Sequence, residues 1–443
     1  MRIIRLVFVA LLAFGTVAAL SAGGQTEAAR GQPELILWQT GTASEIEIMQ
    51  RAVSEYNNQQ DNVVIQWVER PASSEAMATA IAGGRGPDAL YWNQNVPWHF
   101  GDDSFADFYE FVTDPEIGLD PNRFFTAPRQ SVNYGGKVHA IPSDFGLGGV
   151  KYNVDMLREA GLDPINDPPQ TWSEFEEWAL ALTIRDADGT VLQWGVVDDS
   201  VDWLLQEVML NNGGDWVNDD LTEYAVPEQS LVEGVAWIQR LVRELEVMPP
   251  PGNISWTGAP DAGERPFAEE RAAMQIGYHS PYGLINLNPA LEGRVGTFPI
   301  PQGPSSDGTP KISTGFNGFY AIQPAEHTRE VYLFAKFFIE NYSVEYAKSG
   351  WRIPALAENL DEYEQNPLVS PMLPRLNNPV RNFHVFPGRL DVRSGEPATV
   401  ERVILGQMSP EESVRRFKEH AANVFDQMSR ELAEFRTNHE IVW

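Results

Sequence analysis

Residues 35–92 alternate short apolar runs with amphipathic stretches, and this alternation limits the fold more than any other feature of the sequence. The runs of strand length cover residues 35–38, 62–69 and 89–92. Between them, residues 42–56 and 73–82 show helical spacing, the first after a Thr42–Glu45 capping box and the second before two glycines. Strand, helix, strand, helix, strand is the order of a parallel sheet with crossover helices, so we predict an α/β fold.

The same alternation continues through the rest of the chain. Helices are predicted at residues 171–182, 231–245, 331–347 and from Ser409 onward, and a buried strand at residues 274–278. Stretches rich in proline and glycine at residues 249–266 and 299–310 are typical of connections or hinges. A chain of 443 residues is long enough for two large α/β lobes.

The first 24 residues have the composition of an export signal. Arg2 and Arg5 precede an apolar run at residues 6–20, and small residues follow at 21–24. We predict a signal peptide at residues 1–24 that is cleaved on export. A retained anchor helix is the alternative, but the run is shorter than the ~20 apolar residues that span a bilayer. Because the chain has no cysteine to carry a lipid, we expect a soluble, periplasmic mature protein.

The charge of the chain argues against several classes of partner. The formal net charge is −30, which repels nucleic acid and anionic membrane surfaces, so we expect no nucleic-acid partner. The absence of cysteine excludes disulfides, thiolate metal sites and cysteine nucleophiles. The seven histidines lie far apart, without the spacing of metal ligands, and no phosphate-binding or serine-nucleophile motif occurs. We therefore predict no metal, no cofactor and no catalytic residues.

Aromatic residues outside clean helical stripes favour a carbohydrate ligand. Sugar rings present flat C–H faces that stack on aromatic side chains, while their hydroxyls need fixed polar partners. Core packing is the alternative for each of these aromatics. They are Trp38, Trp92, Trp98, Trp203, Trp216, Trp256, Tyr278, Phe316 and Trp351.

Residues 134–157, which read YGGKVHAIPSDFGLGGVKYNVDML, resemble a segment of the family 1 extracellular solute-binding proteins, the maltose-binding-protein-like group. In that family this segment is where the chain first crosses between two lobes. Five shorter motifs resemble the same family and follow its order. They are G-x-G-P-D-A at residues 84–89, A-G-L-D-P at 160–164, P-x-T-W-x-E-F at 169–175, R-A-A-M-x-I-G at 271–277 and G-W-R-I-P at 350–354.

The resemblance implies an α/β, two-lobed periplasmic-binding-protein fold of type II with a multi-strand hinge. The chain would cross between lobes near residues 144–149, 304–311 and 348–350. Lobe 1 would then contain residues 33–144 plus 309–348, and lobe 2 residues 145–308 plus 349–443. Each lobe would be a discontinuous α/β domain.

The function implied by the resemblance is capture of a mono- or oligosaccharide between the lobes and its delivery to the transmembrane permease subunits of an ABC importer. Such a protein is expected to act as a monomer and to catalyse nothing. For Asp144, a hinge cap or a surface acid is the alternative to a ligand contact. The residues that match the family's ligand-binding regions are Gln39, Thr40, Gly41, Trp92, Asn93, Asp144, Trp203, Gln206, Tyr278, His279, Phe316, Asn317, Trp351 and Arg352.

Two other functions stay open at the level of sequence. A secreted glycoside hydrolase would use a similar aromatic cleft with two carboxylates, and 62 acidic residues offer many pairs whose separation the sequence does not reveal. An exported scaffold or adhesion protein is less consistent with the sequence, because no internal repeat is found.

Overall fold

The structure is a computed structural model of the chain. The predicted signal peptide at residues 1–24 lies outside the residues that it describes. The described residues are 32–70, 74–93, 104–134, 137–198, 201–215, 226–250, 265–278, 280, 282–308, 314–323, 326–358, 370–373, 396–422 and 443.

The strands concentrate in one large sheet. In chain order they are β1 (Glu34–Gln39), β2 (Val64–Glu69), β3 (Ala89–Asn93), β4 (Asn133–Tyr134), β5 (Lys137–Val138), β6 (Ile141–Asn153), β7 (Ile184–Arg185), β8 (Val191–Asp198), β9 (Ala272–Tyr278), β10 (Val295–Phe298), β11 (Thr314–Ala321) and β12 (Ile353–Pro354).

Helices connect and cover the strands. They include α1 (Ala43–Gln59), α2 (Ser74–Ala82), α3 (Tyr109–Val112), α4 (Thr126–Ser131), α5 (Val154–Glu159), α6 (Trp172–Leu182), α7 (Val201–Asn211), α8 (Glu228–Arg243), α9 (Arg265–Ala268), α10 (Tyr282–Leu287), α11 (Thr328–Asn341), α12 (Ser343–Ser349) and α13 (Glu396–Ile404). Single turns of 3₁₀-helix lie at Pro121–Arg123, Pro289–Leu291 and Ser370–Met372.

Within the described residues, the large sheet is mixed and has ten strands in the order β2-β1-β3-β11-β6-β9-β8-β7, with β10 and β12 also paired to β6. β1 runs parallel to both β2 and β3, and β8 runs parallel to β9. β11 is antiparallel to β3 and to β6, and β6 is antiparallel to β9. The parallel β1, β2 and β3 confirm the α/β arrangement predicted from residues 35–92.

Strand β6 joins two hydrophobic cores. Phe145 and Leu147 belong to a core built around β1, β3 and β11 with α1, α11 and α12. Val150 and Tyr152, a few residues later, belong to a second core with α6, α7 and α8. One continuous strand therefore connects the two cores, and every residue of β6 is buried.

The last residue of the chain packs into the first core. The indole N–H of Trp443 donates to the carbonyl of Leu119 at 2.9 Å, and its ring lies 5.0 Å from that of Phe124. The carbonyl of Trp443 accepts a hydrogen bond from Asn133 at 3.0 Å. The lobe limits given above, residues 33–144 plus 309–348 and 145–308 plus 349–443, stay a prediction.

The capping boxes predicted at the starts of α1 and α6 are confirmed. The hydroxyl of Thr42 accepts from the N–H of Glu45 at 2.9 Å, and the Glu45 carboxylate accepts from the N–H of Thr42 at 2.8 Å. Thr171 and Glu174 make the same reciprocal pair. These contacts satisfy backbone donors that the first helical turn would leave unpaired.

The prediction of one helix over residues 331–347 is wrong at Tyr342, where α11 ends and α12 begins. The backbone of Tyr342 leaves the helical region (φ −126°), while its phenol donates to Glu55 on α1. The apolar pattern is continuous across this break because residues on both sides face the core. The break places Tyr346 of α12 beside Tyr91 of β3, with ring centroids 5.2 Å apart.

Candidate functional site

The site is built where β6 passes from one core to the other. Side chains alternate along a strand, so Asp144, Gly146 and Gly148 share one face of β6. At each of these positions β6 is approached by side chains from other elements. Asp144 meets β3, β11 and the segment before β12, whereas the two glycines meet β9 and α7.

Asp144 is fully buried and accepts three hydrogen bonds. Its Oδ2 accepts from the phenol of Tyr91 at 2.5 Å. Its Oδ1 accepts from Nδ2 of Asn317 at 2.8 Å and from Nε of Arg352 at 2.5 Å. A buried carboxylate is tolerated only when it is paired and hydrogen-bonded in this way. The contacts make Asp144 the centre of a buried polar network at the crossing strand.

Arg352 connects Asp144 to a second carboxylate. Its Nη2 donates to Oε1 of Glu45, the residue that also caps α1, and only 14% of the Arg352 side chain is exposed. Burial by itself would lower the pKa of Arg352, but the charges of Asp144 and Glu45 outweigh it, so the net pKa is raised. The guanidinium is therefore a fixed cation that links α1 to β6.

Gln39 forms the next part of the network. Its amide N–H donates to the carbonyl of Thr40 at 3.0 Å and to the phenol of Tyr346 at 3.1 Å. Its amide oxygen accepts from the indole N–H of Trp67 at 2.8 Å. Gly41 is needed beside it, because a Cβ there would lie 2.7 Å from the Glu45 carboxylate.

Two buried tyrosines, Tyr91 and Tyr346, and the half-buried Tyr278 surround the charged groups. Burial raises the pKa of Tyr91, and the neighbouring Asp144 charge raises it further. Burial likewise raises the pKa values of Tyr278 and Tyr346. All three phenols therefore keep their protons at neutral pH and can donate hydrogen bonds.

Gly146 and Gly148 leave room for side chains from the opposite part of the sheet. A Cβ on Gly146 would lie 1.8 Å from Oη of Tyr278, and a Cβ on Gly148 would lie 2.4 Å from the Glu207 carboxylate. Tyr278 comes from β9 and the fully buried Glu207 from α7. Both glycines are thus required by the close approach of a side chain.

Trp351 has an uncommon backbone conformation at the edge of the network. Its φ is +56°, in the left-handed region that bulky residues rarely adopt. It follows Gly350, the C-cap of α12, and its N–H donates to the carbonyl of Lys348 at 3.1 Å. The N–H of Arg352 donates to the carbonyl of Ala347 at 2.8 Å. These two bonds define a Schellman motif, in which glycine is the usual residue at the position of Trp351.

The structure brings together several of the residues predicted from sequence. Asp144, Asn317 and Arg352 are in direct contact, and Tyr278 lies close enough for Arg352 and Asp144 to influence its pKa. Gln39 joins them through Tyr346, whose ring centre lies 5.6 Å from the guanidinium carbon of Arg352, and it also donates to the carbonyl of Thr40. Their role as ligand contacts stays a prediction.

Other predicted residues make different contacts, although Asn93 pairs with Asn317 across β3 and β11. The ring of Trp92 lies 4.7 Å from the guanidinium carbon of Arg70, and the carbonyl of Asn93 accepts from Tyr320 at 3.2 Å. Phe316 is a core residue, 3% exposed, on the opposite face of β11 from Asn317. Gln206 is buried on α7. The side chain of Trp203 and all of His279 lie outside the described residues.

Four residues of the site were not proposed from sequence: Glu45, Tyr91, Glu207 and Tyr346. Glu45 was recognised only as a helix cap, and its second partner Arg352 lies 307 positions further along the chain. Tyr91 and Tyr346 sit in apolar stripes, where an aromatic predicts core packing. No local signal separates these roles, because the contacts form only when distant strands and helices meet.

Within the described residues, no group of three or more histidine or acidic side chains is arranged to hold a metal ion. The same residues include no helix of the length and apolarity needed to cross a membrane.

Comparison with known proteins agrees with this architecture. The model of the family described as bacterial extracellular solute-binding protein matches residues 42–341. The chain belongs to this family. The predicted resemblance is therefore confirmed.

Individual solute-binding proteins are distant in sequence. A maltotriose-binding protein of Pyrococcus abyssi is 21% identical over 209 residues, 47% of this chain and 43% of that protein. A lactose-binding protein of Rhizobium radiobacter is 23% identical over 196 residues, 44% of each chain. This chain thus spans less than half the length of the curated relatives that it matches.

The similarity in fold covers far more of the chain. The structure of the GacH receptor of Streptomyces glaucescens, solved unliganded and with acarbose and an acarbose homolog, superimposes with a TM-score of 0.71 at 16% identity. The match covers 89% of this chain and 99% of the receptor. Similarity at this level of identity concerns the fold, and it confirms the predicted two-lobed α/β class.

Proposed function

We propose that this chain is the solute-binding component of an ABC importer and that it captures a mono- or oligosaccharide between its lobes. The observation that carries the proposal is the family match over residues 42–341, which includes the whole of the crossing strand β6. The two relatives named above are described as binding maltotriose and lactose, which favours a saccharide ligand.

The chemistry around β6 suits a neutral, hydroxyl-rich ligand. Asn317 is half-buried and offers N–H donors, and the fully buried Asp144, itself bound by Arg352, holds it in place. Trp351 is half-buried next to them and supplies a flat apolar surface. A site of fixed polar groups beside an aromatic surface binds sugars with little loss of side-chain entropy.

The remaining parts of the proposal are supported by the sequence and by family membership. The chain is exported with cleavage of residues 1–24, remains soluble and periplasmic as a monomer, and delivers its ligand to the transmembrane permease subunits. The large negative charge of −30 is compatible with an exported binding protein and disfavours nucleic acid as a partner.

We propose capture without turnover. Asp144 and Glu45, two of the buried carboxylates near β6, both accept hydrogen bonds from one guanidinium, that of Arg352. A glycoside hydrolase instead needs two carboxyl groups on either side of a sugar bond, about 5–10 Å apart with space between them. The geometry at Arg352 leaves no such space between these two groups.

A thermal-shift screen of the purified chain against maltotriose, maltose, lactose, acarbose, mannose and glucose tests the proposal. A saccharide that binds the native state raises the melting temperature by mass action, and calorimetry should then give one site per chain. Chromatography of the same mixtures should recover the sugar unchanged. No shift with any saccharide would contradict sugar binding, and released shorter sugars would favour the hydrolase.

A further inference from the structure

Trp351 occupies a position whose backbone conformation is unfavourable for a bulky side chain. In a Schellman motif the residue after the C-cap is left-handed, and glycine adopts this conformation without steric cost. Here the residue is a tryptophan with φ +56°. A strained conformation of a bulky residue persists only when the surrounding structure holds it.

Arg352 is the residue after Trp351, and its contacts stabilise the left-handed conformation of Trp351. Its guanidinium is fixed by Asp144 on β6 and by Glu45 on α1, two elements that do not include the Schellman turn itself. Its guanidinium carbon also lies 5.6 Å from the centre of the Tyr346 ring. The side chain of Arg352 is therefore pinned on three sides, which fixes the direction in which the chain leaves Trp351.

Gly350 completes the arrangement on the other side. A Cβ at this position would lie 2.5 Å from the guanidinium of Arg352, so the side chain folds back across Gly350. The carbonyl of Gly350 accepts a hydrogen bond from the buried hydroxyl of Ser280 at 2.9 Å. Trp351 thus lies between two residues that are each anchored to distant parts of the fold.

We propose that Arg352 is a positioning residue that acts through Trp351: by bridging Glu45 and Asp144, it holds the backbone of residue 351 left-handed and presents the indole to the saccharide. This inference rests on the proposed function. According to this inference, the Glu45–Arg352–Asp144 bridge orients the aromatic surface on which the sugar stacks. Arg352 itself does not contact the sugar.

The first test reads the position of Trp351 without any ligand. Protein labelled with 5-fluorotryptophan gives one ¹⁹F resonance per tryptophan, and Trp351→Phe assigns the resonance of residue 351. In Arg352→Lys, a single ammonium cannot bridge two carboxylates as a guanidinium does. We expect the resonance of residue 351 to shift or broaden while the others change little. An unchanged resonance in folded Arg352→Lys overturns the inference.

Gly350→Ala is the second variant, and it decides the matter if Arg352→Lys fails to fold. The φ of Gly350 is −99°, which alanine tolerates, so the added methyl acts mainly by displacing the guanidinium. The same change in the ¹⁹F resonance of residue 351 is expected. Arg123→Lys is the matched control, because Arg123 also bridges two carboxylates, Glu340 and Glu358. It should leave the resonance of residue 351 unchanged.

The second test is a double-mutant cycle on affinity, with maltotriose as the probe or, if maltotriose gives no thermal shift, the screened sugar with the largest one. Arg352→Lys and Trp351→Ala should each weaken binding by about tenfold or more. In the Trp351→Ala background, Arg352→Lys should lower the affinity by less than about a further twofold, because the effects of substitutions at coupled residues are not additive. Additive losses overturn the inference, as they would show Arg352 acting on the sugar directly.

The two tests separate the inference from the proposed function. If no saccharide binds, the proposed function fails, while the ¹⁹F resonance still shows whether Arg352 positions Trp351. If Trp351→Ala weakens binding and Arg352→Lys alters neither the resonance nor the affinity, the site stands and the positioning role fails.

Discussion

Trp351 shows most clearly how one residue can combine an unfavourable backbone conformation with a useful side chain. Its left-handed φ of +56° is a conformation that costs an L-residue roughly 1–2 kcal/mol. Glycine would remove that cost but would also remove the indole. A position with this combination points to selection for what the side chain does.

Replacing Trp351 by glycine and by alanine separates the two contributions. Both variants lose the indole, so both should bind saccharide at least about tenfold more weakly, but Trp351→Gly should be more stable than Trp351→Ala by about 1 kcal/mol. Urea denaturation measures the difference. Ser349, in the last turn of α12, is the matched control, where alanine should exceed glycine in stability by a similar amount. Equal stability of the two Trp351 variants would argue against backbone strain.

Residues that act in pairs over long distances were the least predictable from sequence. Asp144 and Arg352 were proposed as site residues because they lie in family motifs, and Asn317 because its position matches a ligand-binding region of the family. Their mutual contacts, which join positions up to 208 apart, carry no sequence signature. The left-handed backbone of Trp351 was also not predictable from the sequence, because a tryptophan after a helix has no characteristic φ.

Strand β6 is the element on which the site depends. Its glycines admit Tyr278 and Glu207 onto one face, and its other residues bind it to β9, β10, β11 and β12. A strand that pairs with so many partners and connects two cores transmits any local displacement to both. Substitutions in β6 should therefore affect stability and lobe movement together.

Gly146→Ala should be destabilising by about 1–3 kcal/mol, because its methyl would overlap the phenol of Tyr278, whose Oη lies 1.8 Å from the ideal Cβ. In a Tyr278→Ala background the overlap is gone, so the same substitution should cost much less. Urea denaturation of the four proteins in this cycle measures the difference.

Gly149→Ala is the control on the same strand. Its nearest contact is the flexible methyl group of Met372 at 3.2 Å, so a smaller loss of stability is expected. Equal losses for Gly146→Ala with and without Tyr278 would contradict the close contact.

Local patterns predicted most elements, and the exceptions have a common physical cause. The capping boxes of α1 and α6 and the parallel strands at residues 35–92 depend on neighbours in sequence, so the pattern suffices. The break at Tyr342 depends on Glu55 of another helix. The boundary between α11 and α12 is thus set by a tertiary contact, which hydrophobic periodicity in the sequence does not predict.

At the scale of the whole molecule, three tyrosines with raised pKa values predict how stability depends on pH. Burial raises the pKa values of Tyr91, Tyr278 and Tyr346 in the folded state. Below about pH 10 both folded and unfolded chains keep these protons, so the contribution to stability is constant. Above about pH 10 the unfolded chain loses protons that the folded chain retains, so the free energy of unfolding should fall as pH rises.

Urea denaturation between about pH 8 and pH 11 measures this slope. Tyr91→Phe should make the decline above pH 10 shallower, although it also removes the hydrogen bond to Asp144 and lowers stability at every pH. Tyr109→Phe is the control for the loss of an exposed tyrosine hydroxyl. A slope unaffected by Tyr91→Phe would contradict the assigned effect of burial.

The central claim is that two lobes, joined through β6, close around a saccharide. A ligand that contacts both lobes favours the closed state in proportion to its extra contacts there. Small-angle X-ray scattering of the mature chain, alone and with the saturating saccharide identified by thermal shift, measures this directly. We expect a smaller radius of gyration with the sugar bound. A radius that stays the same at saturation, verified by calorimetry on the same sample, would contradict it.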